Sequence, residues 1–129
     1  MIIDTSVLMS ILLEEPGCDA LAASIFDART KRMSVANYLE LAIVASNCLG
    51  DSGSVASDDL LRALNITLEP VTVQQAILAR QAFYDFGKGR HPAALNFGDC
   101  FAYALAKSSG EPLLYVGLDF SRTDLTSPS

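Results

Sequence analysis

The chain has 129 residues, half of them apolar and 19% charged, which is enough for one buried core and too apolar for a disordered segment. Nine basic residues against fifteen acidic ones leave a formal charge of −6. That excludes a protein that holds nucleic acid by a basic face alone, but not an enzyme that meets it through bound cations.

Met1-Ile2-Ile3 reads as a short buried strand ended by Asp4. Thr5 to Leu13 reads as a helix broken by Pro16-Gly17, and residues 18–30 as a second one. Lys31 to Ser34 is a candidate strand, and 35–48 is a helix stopped by Gly50. Gly50 to Ser54 is a loop, with a helix over 56–64 and a strand from Ile66 to Val71. Thr72-Val73-Gln74-Gln75 fits a capping box, opening a helix that runs to about Phe86. After the loop Gly87 to Pro92, residues 98–108 form an apolar helix ended by Gly110, and Leu113 to Val116 is the last strand. Strands alternating with helices predict an α/β fold, a parallel sheet with helices on its faces, in a single domain over 1–129.

Cys18, Cys48 and Cys100 are odd in number and widely spaced, with no Cys-x-x-Cys, so neither a disulfide framework nor a structural zinc site is expected. Asp4 stands where a secretory signal would be positive, and no apolar run approaches the ~20 residues of a membrane span. The expectation is a cytoplasmic protein with no membrane association.

Four acids sit where solvated charge is not ordinary. Asp4 lies at the carboxyl end of the first strand, where open α/β sheets gather ligands, and it also fits as an N-cap. Glu40 is the one charged residue between Ser34 and Cys48, in a helix apolar nearly all round, so it is expected to point inward. Asp99 opens the apolar helix Cys100 to Ala106, with Asn96 as candidate cap, and an acid in a first turn is favourable for dipole reasons alone. Asp119 follows the last strand, and Asp124 is a weaker candidate five residues on. If the four converge, their repulsion needs a neutralising ion. Mg2+ or Mn2+ takes oxygen ligands and serves phosphodiester hydrolysis. The hydroxyls of Thr5, Ser6 and Thr123 are candidates for orienting water or phosphate. Lys88, Arg90 and His91 read either as a solvated loop or as a basic lip contacting RNA. Leu8, Leu12, Leu13, Leu21 and Ile25 read either as core or as a partner surface.

The segments Met1 to Ser6, Gly89 to Ala106, Gly110 to Phe120 and Thr123-Asp124 resemble PIN-domain ribonucleases, and more narrowly the VapC toxins of bacterial type II toxin–antitoxin pairs. The stretch around Asn96-Phe97-Gly98-Asp99 carries most of the resemblance, which spans Met1 to Leu125. It implies a PIN-like three-layer α/β/α sandwich around a central parallel sheet. It implies a Mg2+- or Mn2+-dependent endoribonuclease that cleaves tRNA or rRNA and arrests translation. Asp4 and Asp99 would be the main metal ligands, with Glu40 and Asp119 completing a catalytic quartet. It further implies a homodimer and a cognate VapB-type antitoxin. Two departures stand out: Val116 and Leu118 are apolar where the family often has a lysine and a polar residue.

Other readings are a catalytically idle PIN module acting through protein partners and a receiver-like signalling domain. A receiver fits poorly, because Asp51 follows a helix and no lysine follows Leu113–Val116. Ser6 stands where a haloacid-dehalogenase-type phosphatase has its second aspartate. His91 is the lone histidine and no Gly-x-Ser-x-Gly exists, which removes a Ser-His-Asp hydrolase. Gly87-Lys88-Gly89 lacks the spacing of a P-loop.

Overall fold

The structure, a computed structural model, describes residues 1–125; the end of the predicted 1–129 domain lies outside the described residues. In chain order the elements are β1 (Ile2–Ile3), α1 (Thr5–Leu12), α2 (Cys18–Asp27), β2 (Arg32–Ser34), α3 (Val35–Leu49), α4 (Gly53–Ala63), β3 (Thr67–Glu69), α5 (Val73–Phe86), α6 (Phe97–Ser109) and β4 (Leu113–Leu114), followed by a 3-10 turn at Phe120–Arg122. The strands form one parallel sheet in the order β3-β2-β1-β4. Ile2 pairs with both Arg32 and Leu113, so β1 is central.

The predicted layering is found. Because successive strand side chains point to opposite faces, Ile2 and Leu113 pack with Ala79, Ala82, Ala102 and Leu105 of α5 and α6. Ile3 and Met33 pack with Val7, Leu8, Ile25, Leu41 and Leu61 on the other face. The chain steps outward from β1 to β3, then returns to place β4 on the far side of β1. The strand order therefore reverses between β1 and β4, and the crevice at their carboxyl ends is where open α/β sheets bind ligands. Asp4 follows β1 there, and Asp119 lies beyond β4.

Several predicted boundaries shift. The second helix ends at Asp27. Helix α4 starts at Gly53 rather than 56, because its first turn lies directly on α3: a Cβ at Gly53 would fall 2.2 Å from the Ala45 carbonyl oxygen. Strand β4 stops at Leu114, and the Val116 amide instead donates to Ser6 Oγ at 3.0 Å. Leu8 and Ile25 are core, Leu12 and Leu21 half-buried, and Leu13 exposed, so most of that apolar set faces inward. Glu111 is not a solvated acid. It accepts from the Met1 amine at 2.9 Å and pairs with Arg32, which also reaches Glu69 at 3.1 Å. Those partners hold the Glu111 carboxyl down at about 2 although burial opposes them.

Helix α3 differs from its predicted burial. Asn37, Leu41 and Ala45 face the core, but Leu39 is 59% and Ile43 53% exposed, and Glu40 is half-buried. Helices α1, α4 and α6 pack against α3 and leave the face that carries Leu39 and Ile43 open.

Candidate active site

Asp4 sits at the N-cap of α1 and is 3% exposed. The expected N-cap role is found, and the two carboxylate oxygens differ. Oδ2 accepts from the Ser6 amide at 3.1 Å and from Ser6 Oγ at 2.6 Å, which caps the helix. Oδ1 is buried with no hydrogen-bond partner. Burial pushes the Asp4 carboxyl up to about 6, against the lowering effect of the Ser6 bonds, and the charge of Glu40 pushes the same way.

Asp99 repeats the pattern. Asn96 caps α6 through the Asp99 amide at 2.9 Å, and Asp99 Oδ2 accepts from the Asn96 amide at 3.0 Å, closing a capping box. That uses one carboxylate oxygen. Burial pushes Asp99 up to about 7, and the charges of Asp4, Glu40 and Asp119 add to it. The four acids thus act on one another at the crevice. The ordinary way to relieve such repulsion is a basic side chain. Yet the salt bridges among the described residues use Glu111, Glu69, Asp59 and Asp124, and none reaches the quartet.

Glu40 is set by its neighbours. Its Oε1 accepts from Asn37 Nδ2 at 3.3 Å, and its carboxylate lies over Gly98, where a Cβ would fall 1.9 Å from Oε2. Gly98 therefore lets α6 approach the acid of α3. Gly98 lies in the stretch that carries the family resemblance, but Asn37 was not distinguishable in the sequence, because its bond to the Gly98 carbonyl forms only across the α3–α6 contact.

Asp124 stands apart. Its Oδ1 accepts from Tyr103 Oη and its Oδ2 from Lys107 Nζ, both at 2.6 Å. Those bonds hold its carboxyl below the usual range despite partial burial. It fastens the segment after β4 to α6. The hydroxyls are committed to the protein: Thr5 Oγ1 donates to the Asn37 carbonyl at 3.3 Å, Ser6 Oγ donates to Asp4, and Thr123 Oγ1 donates to the Phe120 carbonyl at 2.7 Å. In the loop before α6, His91 Nδ1 accepts from the Ala93 amide at 3.0 Å and its ring stands edge-on to Phe86. Arg90 lies 5.3 Å from the Tyr84 ring centre and Lys88 is exposed.

Carboxylates with one oxygen anchored and one free, without basic partners, fit a hard cation. Among the described residues no group of three or more His, Cys, Asp and Glu side chains is close enough together to hold a metal ion by itself.

A three-layer parallel α/β domain with acids at the switch point of its sheet is the arrangement of a PIN domain. The family model for the PIN domain matches residues 1–125, and the chain belongs to that family. Within it the relatives are VapC ribonucleases. "Ribonuclease VapC" of Mycolicibacterium smegmatis is 46% identical, over 98% of this chain and 98% of its own length. "Ribonuclease VapC28" of Mycobacterium tuberculosis is 47% identical over 95% of this chain and 93% of its own. The crystal structure of Mycobacterium tuberculosis VapC20, described as a Sarcin-Ricin loop cleaving toxin, superposes with a TM-score of 0.74 at 20% identity, covering 98% of this chain and 97% of that one. The fold and the ribonuclease family expected from the sequence are thereby established.

Proposed function

We propose that this VapC-type ribonuclease is a toxin that cuts cellular tRNA or rRNA in a Mg2+- or Mn2+-dependent reaction, with Asp4, Glu40, Asp99 and Asp119 as its catalytic acids. The observation that carries the metal reading is the pair of half-anchored carboxylates: Asp4 Oδ1 is buried without a partner, and Asp99 is raised first by burial and then by three neighbouring acids. Asp4 and Asp99 would hold the ion, with Glu40 and Asp119 completing the set directly or through water. When bound, the ion supplies charge stabilisation at the phosphate and activation of water.

The chain's own groups do the rest. Ser6 fixes Asp4 Oδ2 and leaves Oδ1 unbonded, and the capping box fixes the Asp99 rotamer. Glu40, bonded by the neutral Asn37 amide rather than ion-paired, would orient a water. Lys88 and Arg90 would contact backbone phosphate from the loop before α6, whereas His91 serves the loop itself. Incubating total RNA with the protein should give cleavage with Mg2+ or Mn2+ and none in EDTA. Equal cleavage in EDTA removes the metal dependence, and no cleavage in any ion leaves a binding-only PIN module.

Gly98→Ala tests Glu40. The new methyl meets the far end of a flexible side chain, so the fold survives while the carboxylate is displaced. Cleavage should fall on the order of 10²-fold, the cost of a misplaced group, with circular dichroism unchanged; an active Gly98→Ala protein excludes Glu40 from the chemistry.

The reading includes two protein partners, a VapB-type antitoxin and a second copy of the chain. Leu39 and Ile43 of α3 adjoin Phe97, which is 81% exposed and stacks edge-on with Phe101 at 5.0 Å. An apolar ridge of this kind marks an interaction surface. Light scattering should show a dimer for the wild type and a monomer for Phe97→Ser; an unchanged mass moves the dimer surface elsewhere. Cys18, Cys48 and Cys100 are unpaired among the described residues. No helix among the described residues is long and apolar enough to cross a membrane.

A further inference from the structure

Asn37 is fully buried in the first turn of α3, and its hydrogen bonds reach the neighbourhoods of three acids at once. Its Nδ2 donates to Glu40 Oε1 at 3.3 Å and to the Gly98 carbonyl at 2.9 Å. Its own carbonyl accepts from Thr5 Oγ1 at 3.3 Å. Thr5 follows Asp4, and Gly98 precedes Asp99. One residue therefore ties together α1, α3 and α6 at the points where they present Asp4, Glu40 and Asp99.

The chemistry of the amide suits that place. An arginine or lysine there would hold the carboxylates by cancelling their charge, and a cation site needs the charge. A primary amide donates two hydrogen bonds and stays neutral. It does so at a cost, because Asn37 Oδ1 is buried with no hydrogen-bond partner, a penalty that an apolar side chain of similar volume does not carry. A buried polar group kept despite an unmet acceptor calls for a reason beyond packing.

We propose that Asn37 is a positioning residue of the ribonuclease site, setting the Glu40 carboxylate against the Asp99 end of α6 without neutralising it. This rests on the assignment of the acid quartet above. The test uses Asn37→Leu, which removes both donors at similar volume, and Asn37→Ser, which is small enough to fold if the leucine is not tolerated. Ser57→Ala removes another buried hydroxyl bond, in α4, and reports stability loss alone. Asp99→Asn reports the site itself. For each protein, kcat and KM are measured on a model RNA, and Mn2+ affinity is measured by calorimetry on the RNA-free protein.

Loss of a group that orients metal-site ligands typically costs 10–100-fold. The folded Asn37 variant should lose kcat by about that factor, keep KM within about threefold, and bind Mn2+ about tenfold more weakly, while Ser57→Ala changes none of the three. A folded Asn37 variant with wild-type kcat and Mn2+ affinity, beside an inactive Asp99→Asn, overturns the inference and leaves the quartet standing. An active Asp99→Asn removes the quartet and the inference with it.

Discussion

Asp99→Asn should abolish RNA cleavage and at the same time raise the melting temperature of the metal-free protein. The two effects share one cause. Asp99 is pushed up to about 7, first by burial and then by Asp4, Glu40 and Asp119. Above that pH the fold carries an ionised group it disfavours. Asparagine has the same shape, and its amide oxygen can still accept from the Asn96 amide, so the cap of α6 survives. What disappears is one negative charge from a crowded crevice, which relieves the other three acids. The same substitution deletes an ion-holding oxygen. Removing an electrostatic stabiliser of a developing charge costs about 10²–10³ in rate, and Asp4→Asn should behave alike. Asp124→Asn gives the opposite pair of results. Its carboxylate is bonded by Tyr103 and Lys107 and favoured in its charged form, so its loss lowers the melting temperature. Cleavage should stay within a few-fold, because Asp119, not Asp124, acts on Asp99. Single-turnover cleavage with Mg2+ present, and scanning calorimetry in EDTA, of the three proteins decide the matter. An Asp99→Asn protein that melts lower than wild type and still cuts would refute both halves.

The different surroundings of Asp119 and Asp124, five residues apart, show where sequence reading stops. The layers were legible because alternating strand and helix patterns need only local periodicity, and Asn96 was legible as the cap of α6 by spacing alone. The place of Asp4 followed from one rule about strand ends. Asp119 and Asp124, however, differ in what lies across from them. Tyr103 and Lys107 stand four and eight residues beyond Asp99 on the same face of α6, and only the packing of the last segment shows that they take Asp124. Asn37 was hidden for the same reason. An asparagine three residues before a glutamate is unremarked in sequence until α3 and α6 touch. Glu40 was expected fully inside because its helix is apolar on all sides. In fact the surplus apolar face, Leu39 and Ile43, is left outside the single chain. The apolar excess that looked like burial within the fold is in part exposed.

The metal-free protein should be more stable at pH 5 than at pH 8. Folding raises the Asp4 carboxyl from 3.8 to about 6 and the Asp99 carboxyl from 3.8 to about 7. Between those limits the folded state binds more protons than the unfolded one, so stability falls as pH rises. The contribution is whole below about pH 4 and is lost as pH climbs through 6 and 7. Glu111 works in the other sense, since its carboxyl is lowered to about 2, but its contribution changes only below pH 4.5 and leaves this window untouched. At about 1.4 kcal/mol for each pH unit, and with Asp99 discounted for its partial exposure, the loss from pH 5 to pH 8 is ~2–4 kcal/mol. For a domain of this size that is a fall of roughly 10 °C. A divalent ion should reverse it. Ligand at about a hundred times its Kd stabilises by ~2.7 kcal/mol, and it does so where its carboxylates are ionised. Mg2+ or Mn2+ should therefore raise the melting temperature at pH 8 and hardly at pH 5, where protons hold the same oxygens. In Asp4→Asn and Asp99→Asn both the pH slope and the ion effect should shrink. A flat pH profile for the metal-free wild type, or an equal ion effect at both pH values, would mean that these carboxylates are not the group on which proton and cation compete. The charge of −6 then remains a surface property; with the competition found, part of it is a cation-holding device in the crevice of the sheet.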